Sequence, residues 1–588
     1  MYLRTLKLWN FRKYGSNTFE IKEPNLIVPF HKGINVLIGK NDSGKTAILD
    51  AIKIVLKTHA YEWIKVEDED FYLGSDKFRI ELEFSDLQVN EAKNFIEWLG
   101  WEKQEEKDVP ILRLIYQVEI KDGKIQPSDV KAGMDDIGYS LNAEAREYLK
   151  TTYLKALRDA ENDLIAKKNS RLSQILQEHK LFKMPKGEHV LEKKLDEFNT
   201  VIKNWFDDIT LYDTDKSVKK EIKDKIDDFI RKFIDESYVS TFNIGEAEIK
   251  NILEKLSLGL KDNYNLGLGT LNRLYMAAEL LHLKREWNGL KLCMIEELEA
   301  HLHPQAQMKI VEALQDEKEV QYILTSHSPN LASKINVENL LLCDDNNVYS
   351  LEKGLTYLDQ LKDYDYLKRF LDVTKSNLFF AKGVIIVEGW AEEILLPEIA
   401  NSIGCNLTKH EVSIVNVGST AYLHFVKIFL RKDNKIPNIK VAIVTDLDVR
   451  PKKDTNEFNQ QEVENKKRKI ETNIGTLNEN VILEIAPEWT LEWCLYKSES
   501  LSELFKESVS VVHSRTMSFK KDEHGNWNEN FEKALISKLK KGEGDSPLDK
   551  VAIANTLAEK ISSQKPTIME DDEYLKYIIK AIKHTCNV

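Results

Sequence analysis

A chain of 588 residues exceeds what one hydrophobic core organises, so its 42% hydrophobic content is expected to fill two or more domains. A net charge of −13 argues against a protein that coats nucleic acid non-specifically, which needs clustered Lys and Arg, but leaves room for a local basic groove or acidic metal sites. The five cysteines (Cys293, Cys343, Cys405, Cys494, Cys586) lie far apart without a CxxC pair, so reduced structural thiols are expected and neither a zinc site nor a disulfide framework.

No run approaches ~18 uninterrupted apolar residues, and the start MYLRTLKLWNFRKYG lacks the apolar core of a signal peptide, so a cytoplasmic protein without membrane contact is expected. Residues 1–140 alternate β-like runs (RTLKLWNF, INVLIG, FRIELEFSDL, ILRLIYQVEI) with one helix, the pattern of an α/β half-domain. Within them GKNDSGKT fits GxxxxGK[ST] between a strand at 34–38 and a helix at 45–56, the setting that a phosphate-cradling loop requires and a chance glycine turn does not. The loop Gly39, Asn41, Ser43, Gly44 is expected to wrap the phosphates of ATP, with Lys45 reaching the β and γ oxygens and Thr46 holding Mg2+.

Residues 141–245 change character: rich in Lys, Glu, Asp and Leu, they carry apolar stripes at helical spacing, Leu191, Leu195, Phe198, Ile202, Trp205, Ile209 and Ile222, Ile226, Phe229, Phe233. A helical insertion packing on itself is expected, the alternative being a dimerisation seam, which the broken heptads favour less. From 246 to 365 the α/β pattern resumes. LCMIEELE ends an apolar strand in Glu296 and Glu297, expected to hold Mg2+ and activate water respectively. YILTSHS ends another at His327, placed either to contact the γ-phosphate or as a structural histidine.

Residues 366–588 read as a second parallel-sheet unit. Glu388 ends the strand of VIIVEGWAEE and Glu392 follows one helical turn later; Asp446 and Asp448 in VAIVTDLDV would project from one face of an extended strand. Parallel strands end on a common edge, so these carboxylates are expected to meet and hold Mg2+ or Mn2+, the alternative being two solvent-facing acidic turns. ENKKRKIE, with Lys466, Lys467, Arg468 and Lys469, is either a solvated helix face or a contact for a DNA backbone.

NFRKYG, GKNDSGKT, IEELEAHLHPQ and LTSHSP resemble the ABC-type ATPase heads of the RecF, SMC and OLD (overcoming lysogenization defect) families, and the carboxylate strands resemble a Toprim domain. An α/β multidomain chain with an ABC-type head, a helical insertion and then a Toprim domain is the OLD-family architecture. The resemblance implies that two heads sandwich ATP, hence a homodimer or larger homo-oligomer. The signature segment would be NLGLGTLNRLYMAAELL, with Gly267, Gly269 and Asn272 but without the usual serine. Leu298 stands where the OLD pattern has proline, which together with that signature implies slow turnover. The Toprim resemblance adds Glu492 as a further acid and Lys550 as the transition-state lysine, with Lys540 and Lys541 as alternatives.

The expected function is an ATP-regulated DNA endonuclease with two metal ions at the Toprim carboxylates and one with the nucleotide. The competing expectation is an ATP-switched DNA clamp without cleavage, against which stands the placing of repelling acids where phosphate would bind. By resemblance the setting is bacterial defence against phage, with an accessory protein or nucleic acid as partner. Phosphodiester hydrolysis is downhill, so ATP is read as a regulatory ligand, and restraint of cutting while ATP is plentiful would spare the host.

Overall fold

The computed structural model describes the chain except residues 61–63, 105–106, 157–163, 184–188, 208–222, 229, 232–238, 262–265, 284–288, 359–361, 419–420, 453–456 and 541–546. Ile209, Ile222, Phe229, Phe233 and Lys541 lie outside the described residues.

Among the described residues the strands form three sheets. The first is antiparallel and built from the N-terminal part, in the order Leu26–Pro29, Tyr2–Trp9, Lys77–Ser85, Lys107–Lys121, Lys131–Ala132, Tyr139–Ser140. The second carries the phosphate loop: Thr152–Leu154, Leu292–Ile295, Gln321–Thr325, Ile34–Ile38 and Leu340–Asp344 run parallel, and Asn347–Ser350 closes the edge antiparallel. Its edge strand Thr152–Leu154 falls inside the 141–245 segment, so the head sheet begins before the helical stretch. The third sheet is wholly parallel, in the order Val412–Asn416, Gly383–Val387, Lys440–Thr445, Val481–Ile485.

The parallel strands read as unbroken apolar runs because both faces are buried, and their period of two divides them between cores. Leu37, Leu292, Met294 and Ile323 join a core with the antiparallel sheet and Ile48, Ile52 and Val55 of the helix Lys45–Leu56. Val36, Ile38, Cys293, Ile295, Tyr322 and Leu324 face the other way, into a core that continues to Val384, Ile386, Val441 and Ile443 of the third sheet. Ile385, Val387, Ala442 and Val444 face a third core with the C-terminal helices.

The two units are also stitched by polar contacts. Tyr357 N donates to Leu430 O at 3.0 Å and Lys432 N to Leu355 O at 2.9 Å, while Asp363, almost fully buried, takes His424 Nδ1 at 2.5 Å and Lys427 Nζ at 3.0 Å.

The helical stretch departs from its expected packing. In the helix Val190–Phe206, Leu191, Phe198 and Trp205 remain 38%, 51% and 43% exposed, so the stripe does not bury itself. The helix is held through polar groups instead: Glu192 Oε1 accepts from Ile249 N at 2.8 Å and Asn199 Nδ2 donates to Gly245 O at 2.9 Å. Firmer anchorage lies nearby, where buried Arg171 grips Glu279 with Nε and Nη2 at 2.6 and 2.8 Å, pinning the helix Arg171–Glu178 to Leu268–Leu283. No helix among the described residues is long and apolar enough to cross a membrane.

Candidate functional site

The phosphate loop leaves the buried strand Ile34–Ile38 at Gly39, where φ is 139° and a Cβ would stand 2.2 Å from the Cys343 carbonyl oxygen. It enters the helix at Gly44, with φ 94° and the Tyr14 hydroxyl 2.0 Å from a Cβ, so both positions require glycine. Lys45 Nζ folds back into the loop, donating to Gly39 O at 3.0 Å, Lys40 O at 2.6 Å and Ser43 Oγ at 3.1 Å. Burial pushes its ammonium down to about 8. Three loop oxygens thus hold the ammonium inside the loop, and an ammonium there fits a phosphate. Ser43 is buried and Asn41 exposed.

Thr46 Oγ1 donates to Glu296 Oε1 at 2.8 Å, and Tyr153 Oη donates to Glu296 Oε2 at 2.7 Å. The hydroxyl and carboxylate expected to share Mg2+ are therefore neighbours. Glu297 is exposed at φ 42°, its N–H donating to Thr325 Oγ1 at 3.0 Å. Leu298 is fully buried and uses its own N–H toward Thr325 O at 3.3 Å, a donor that proline would lack. Glu299, which sequence reasoning passed over, accepts from His327 N, while its Oε2 is buried without a hydrogen-bond partner among the described residues. Burial and the Lys45 charge lower the His327 imidazole pKa, against which the Gly39 carbonyl acts, so the ring lies against the loop. Gly269 stands apart, its nearest neighbour the His301 carbonyl, and the Asn272 amide is buried without a hydrogen-bond partner among the described residues.

At the second sheet, Glu388 follows the strand Gly383–Val387 and accepts from Thr445 Oγ1. Burial raises its carboxyl pKa, as does Asp448, while Lys466 and Lys550 oppose. Glu392 sits in the first turn of the helix Trp390–Ser402, its carboxyl raised by burial and then by Glu492. Asp446 accepts from Leu491 N at 2.9 Å; burial leads the causes that hold its carboxyl well above the usual range, followed by Glu392 and Glu492. Glu492 is buried, and its Oε2 lies 2.7 Å from Lys550 Nζ. Burial lowers the Lys550 pKa, but Glu492, Asp446 and Glu392 outweigh it and the ammonium is raised.

The structure thus brings Glu392, Asp446, Glu492 and Lys550 into one group and Glu388 with Asp448 beside it. One expectation fails here: Asp446 and Asp448 do not share a face of an extended strand. The strand ends at Thr445, and Asp448 is exposed at φ 56°, its N–H donating to Trp489 O at 2.8 Å. Among the described residues Lys540 makes no ion pair with the carboxylates, which take Lys550 instead. On the helix Gln460–Ile474, Lys466 and Lys467 are half-buried and Arg468 and Lys469 exposed, so the face is partly packed toward Glu388 and partly solvated. Thr445, Tyr422, bonded to Thr445, and Tyr577, whose buried phenol has no hydrogen-bond partner among the described residues, also adjoin the carboxylates.

Among the described residues no three His, Cys, Asp or Glu side chains stand grouped so that they could hold a metal ion. The residue types still suit a hard divalent cation: all-oxygen ligands, with burial and mutual repulsion disfavouring the charged forms of Glu388, Glu392 and Asp446, and Lys550 as counter-charge.

Comparison with known proteins follows this layout. The family described as "AAA domain, putative AbiEii toxin, Type IV TA system" matches residues 34–333, half of the chain, and "Overcoming lysogenization defect protein-like, TOPRIM domain" matches residues 379–448. Endonuclease GajA of Bacillus cereus (strain HuB5-5) is 22% identical over 541 residues, 76% of this chain and 77% of its own. The OLD nuclease of Thermus scotoductus (strain ATCC 700910 / SA-01) is 23% identical over 463 residues, 74% of this chain and 82% of its own. Among solved structures, an Smc head bound to the C-winged helix domain of ScpA covers 60% of this chain and 99% of its own at 15% identity and TM-score 0.35. The chain belongs to the AAA-domain family matched over its head and carries an OLD-like Toprim domain, so that an ABC-type ATPase head continues into a Toprim domain.

Proposed function

We propose that this protein is a divalent-metal-dependent DNA endonuclease regulated by ATP. The observation that carries the reading is the group Glu392, Asp446 and Glu492 around Lys550, gathered where parallel strands end, with burial disfavouring the anions of Glu392 and Asp446. A domain that only bound DNA would gain nothing from repelling its phosphates there. The relatives named endonuclease and nuclease support the same reading.

Glu388, Glu392, Asp446, Asp448 and Glu492 would hold Mg2+ or Mn2+. When bound, such ions make water a nucleophile near neutral pH and steady the leaving oxygen. Lys550, drawn in by Glu492, is then available to balance charge on the phosphate under attack. Thr445 and Leu491 N fix the orientation of Glu388 and Asp446. In the head, the loop amides and Lys45 bind the triphosphate, Thr46 and Glu296 hold its Mg2+, Glu297 orients water, and His327 faces the γ-phosphate. Gly269 of the signature segment serves the second copy of a dimer.

Leu298 and the serine-free signature make the head a slow hydrolase, better suited to switching than to driving. ATP restrains cutting, and the setting is cytoplasmic antiphage defence, with an accessory protein or nucleic acid supplying the trigger. The test is incubation of the purified protein with supercoiled and linear DNA plus Mg2+ or Mn2+, with and without ATP. Cleavage that disappears on chelation supports the reading; DNA binding without cleavage in every metal would replace it with the clamp.

A further inference from the structure

Lys550 is the first residue of the helix Lys550–Gln564, so where that helix starts decides where its ammonium can reach. Three residues lead into it. Pro547 has no N–H to donate, Leu548 N donates to Lys538 O at 3.1 Å, and Asp549 N donates to Nε2 of His513 at 3.3 Å. Asp549 then caps the helix, its Oδ1 accepting from Ala552 N at 3.1 Å. These bonds set the backbone from which the Lys550 Nζ comes within 2.7 Å of Glu492 Oε2. One of the two acceptors ahead of the lysine is a carbonyl, indifferent to pH, and the other is a ring nitrogen.

The ring is itself held in place. His513 closes the helix Ser502–Val512, its N–H donating to Val509 O at 2.9 Å, and fully buried Phe519 packs on the imidazole with centroids 5.8 Å apart. The helices Ser502–Val512 and Lys550–Gln564 lie against each other, tied further along by Lys560 Nζ on Glu507 Oε2 at 2.8 Å. To accept from an amide the half-buried ring must be neutral, with its proton on Nδ1, because an imidazolium carries N–H on both nitrogens. Burial lowers the His513 pKa first, and Lys538 of the helix Phe531–Leu539 lowers it further, against Asp549, which raises it. The accepting form therefore prevails at neutral pH and is lost in mild acid.

We propose that His513 is a positioning residue for Lys550: as a neutral ring it pins the amide that precedes the lysine, and on protonation it releases that amide, so that acid withdraws the lysine from the carboxylates and slows cleavage. The inference rests on the nuclease reading, in which Lys550 balances charge on the phosphate under attack, and adds the residue that holds it there. A released ring would face the helix start with an N–H of its own, and a cation is further disfavoured at the N-terminal end of a helix.

The experiment uses the full chain. With Mg2+ and DNA at neutral pH, His513→Ala should lower kcat about fivefold, the scale of one ordinary hydrogen bond, while KM for DNA and the Mg2+ requirement move by less than about twofold. His513→Gln, whose amide oxygen accepts at any pH, should recover most of the loss and should go on cutting in mild acid where the parent declines; protonation of the carboxylates is common to both, so the difference isolates the imidazole. Hydrogen exchange over residues 548–556, read without DNA or metal, should be faster in His513→Ala and close to the parent in His513→Gln. An unchanged kcat in His513→Ala, an equal loss in both variants, a loss carried by KM or by the Mg2+ requirement, or acid limbs that coincide in His513→Gln and the parent would each overturn the proposal. The two readings fail separately: a parent that cuts nothing while His513→Ala loosens the helix start sinks the nuclease and keeps the pin, whereas cleavage with unaltered exchange in His513→Ala sinks the pin alone.

Discussion

Asn438 Nδ2 donates to Asp345 Oδ2 across 2.7 Å, joining the turn beside the phosphate loop to the segment that enters the strand of Asp446. Asp345 follows Asp344, whose Oδ1 lies 3.4 Å from Lys40 Nζ of the loop, and the strand Leu340–Asp344 pairs with Ile34–Ile38. Asn438→Ala is expected to leave ATP binding intact and to shrink the effect of ATP on cleavage by up to about tenfold, about 1.4 kcal/mol of coupling. Cleavage assays across an ATP titration, with ATP binding measured alongside, check it; an unchanged ATP response removes this contact from the route.

Lys45→Ala should weaken ATP binding, because Gly39 O, Lys40 O and Ser43 Oγ lose their donor and the phosphates lose their cation. Removal of a hydrogen-bonded charge is worth about 1.5–3 kcal/mol, roughly 10- to 150-fold in affinity. Calorimetric titration with ATP measures the loss. If the variant binds no ATP and its cleavage still responds to ATP as the parent's does, the switch lies elsewhere.

Asp446→Ala and Asp448→Ala should differ. Asp446 sits within the group of Glu392, Glu492 and Lys550, so its loss should abolish cleavage; exposed Asp448 adjoins only Glu388 of the set, so its loss should slow cleavage and raise the metal concentration needed. Without metal, Asp446→Asn should be more stable than the parent, by on the order of 1 kcal/mol, since an anion disfavoured by burial and by Glu392 and Glu492 is removed. Melting in EDTA reads this directly, and a lower melting temperature would contradict it.

Asp572 supplies a pH-dependent fastening of the C-terminal helices. It is buried and accepts from Ser498 Oγ at 2.7 Å, Ser500 N at 2.9 Å and Tyr574 N at 3.1 Å; burial raises its pKa, but these bonds outweigh it and the carboxyl is depressed. A depressed folded pKa means that the stabilisation is complete above the unfolded value near ~3.9 and is lost as pH falls through the folded value. Asp572→Ala should cost about 1–3 kcal/mol at neutral pH, with the gap to the parent closing in acid. Denaturant melts at both pH values test this.

A mass measurement at micromolar concentration with ATP present should find a dimer or larger assembly. The exposed apolar stripe of Leu191, Phe198 and Trp205 is available surface for it, and Trp205→Asp should shift the mass toward monomer. A strictly monomeric parent would leave the signature segment without a partner site.

The phosphate loop was legible because one strand, one turn and one helix lie consecutively in residues 34–56, and the Thr46–Glu296 pairing followed from strand-end logic. Glu492 and Lys550 came only through family resemblance, since no local pattern links residues so far apart to Asp446. Thr445, Tyr422 and Tyr577 belong to no motif, and only folding sets their hydroxyls at the carboxylates. Asp448 was misread because period-two reasoning assumed that the strand continued, whereas the backbone turns left-handed there. The stripe on Val190–Phe206 shows the same limit, since helical spacing identifies an apolar face but not what covers it.

The core shared by Val36 and Leu324 with Val384 and Ile443 gives ATP a second influence, separate from any signal to the nuclease. Two sheets that lean on one apolar interior loosen together, so a ligand bound to the head resists the opening of both. Heat or protease should therefore spare the Toprim sheet when ATP is present, even in a variant whose cleavage has become deaf to it. The nucleotide would act as a preservative of the cutting domain as well as its governor, keeping a restrained nuclease intact until it is released.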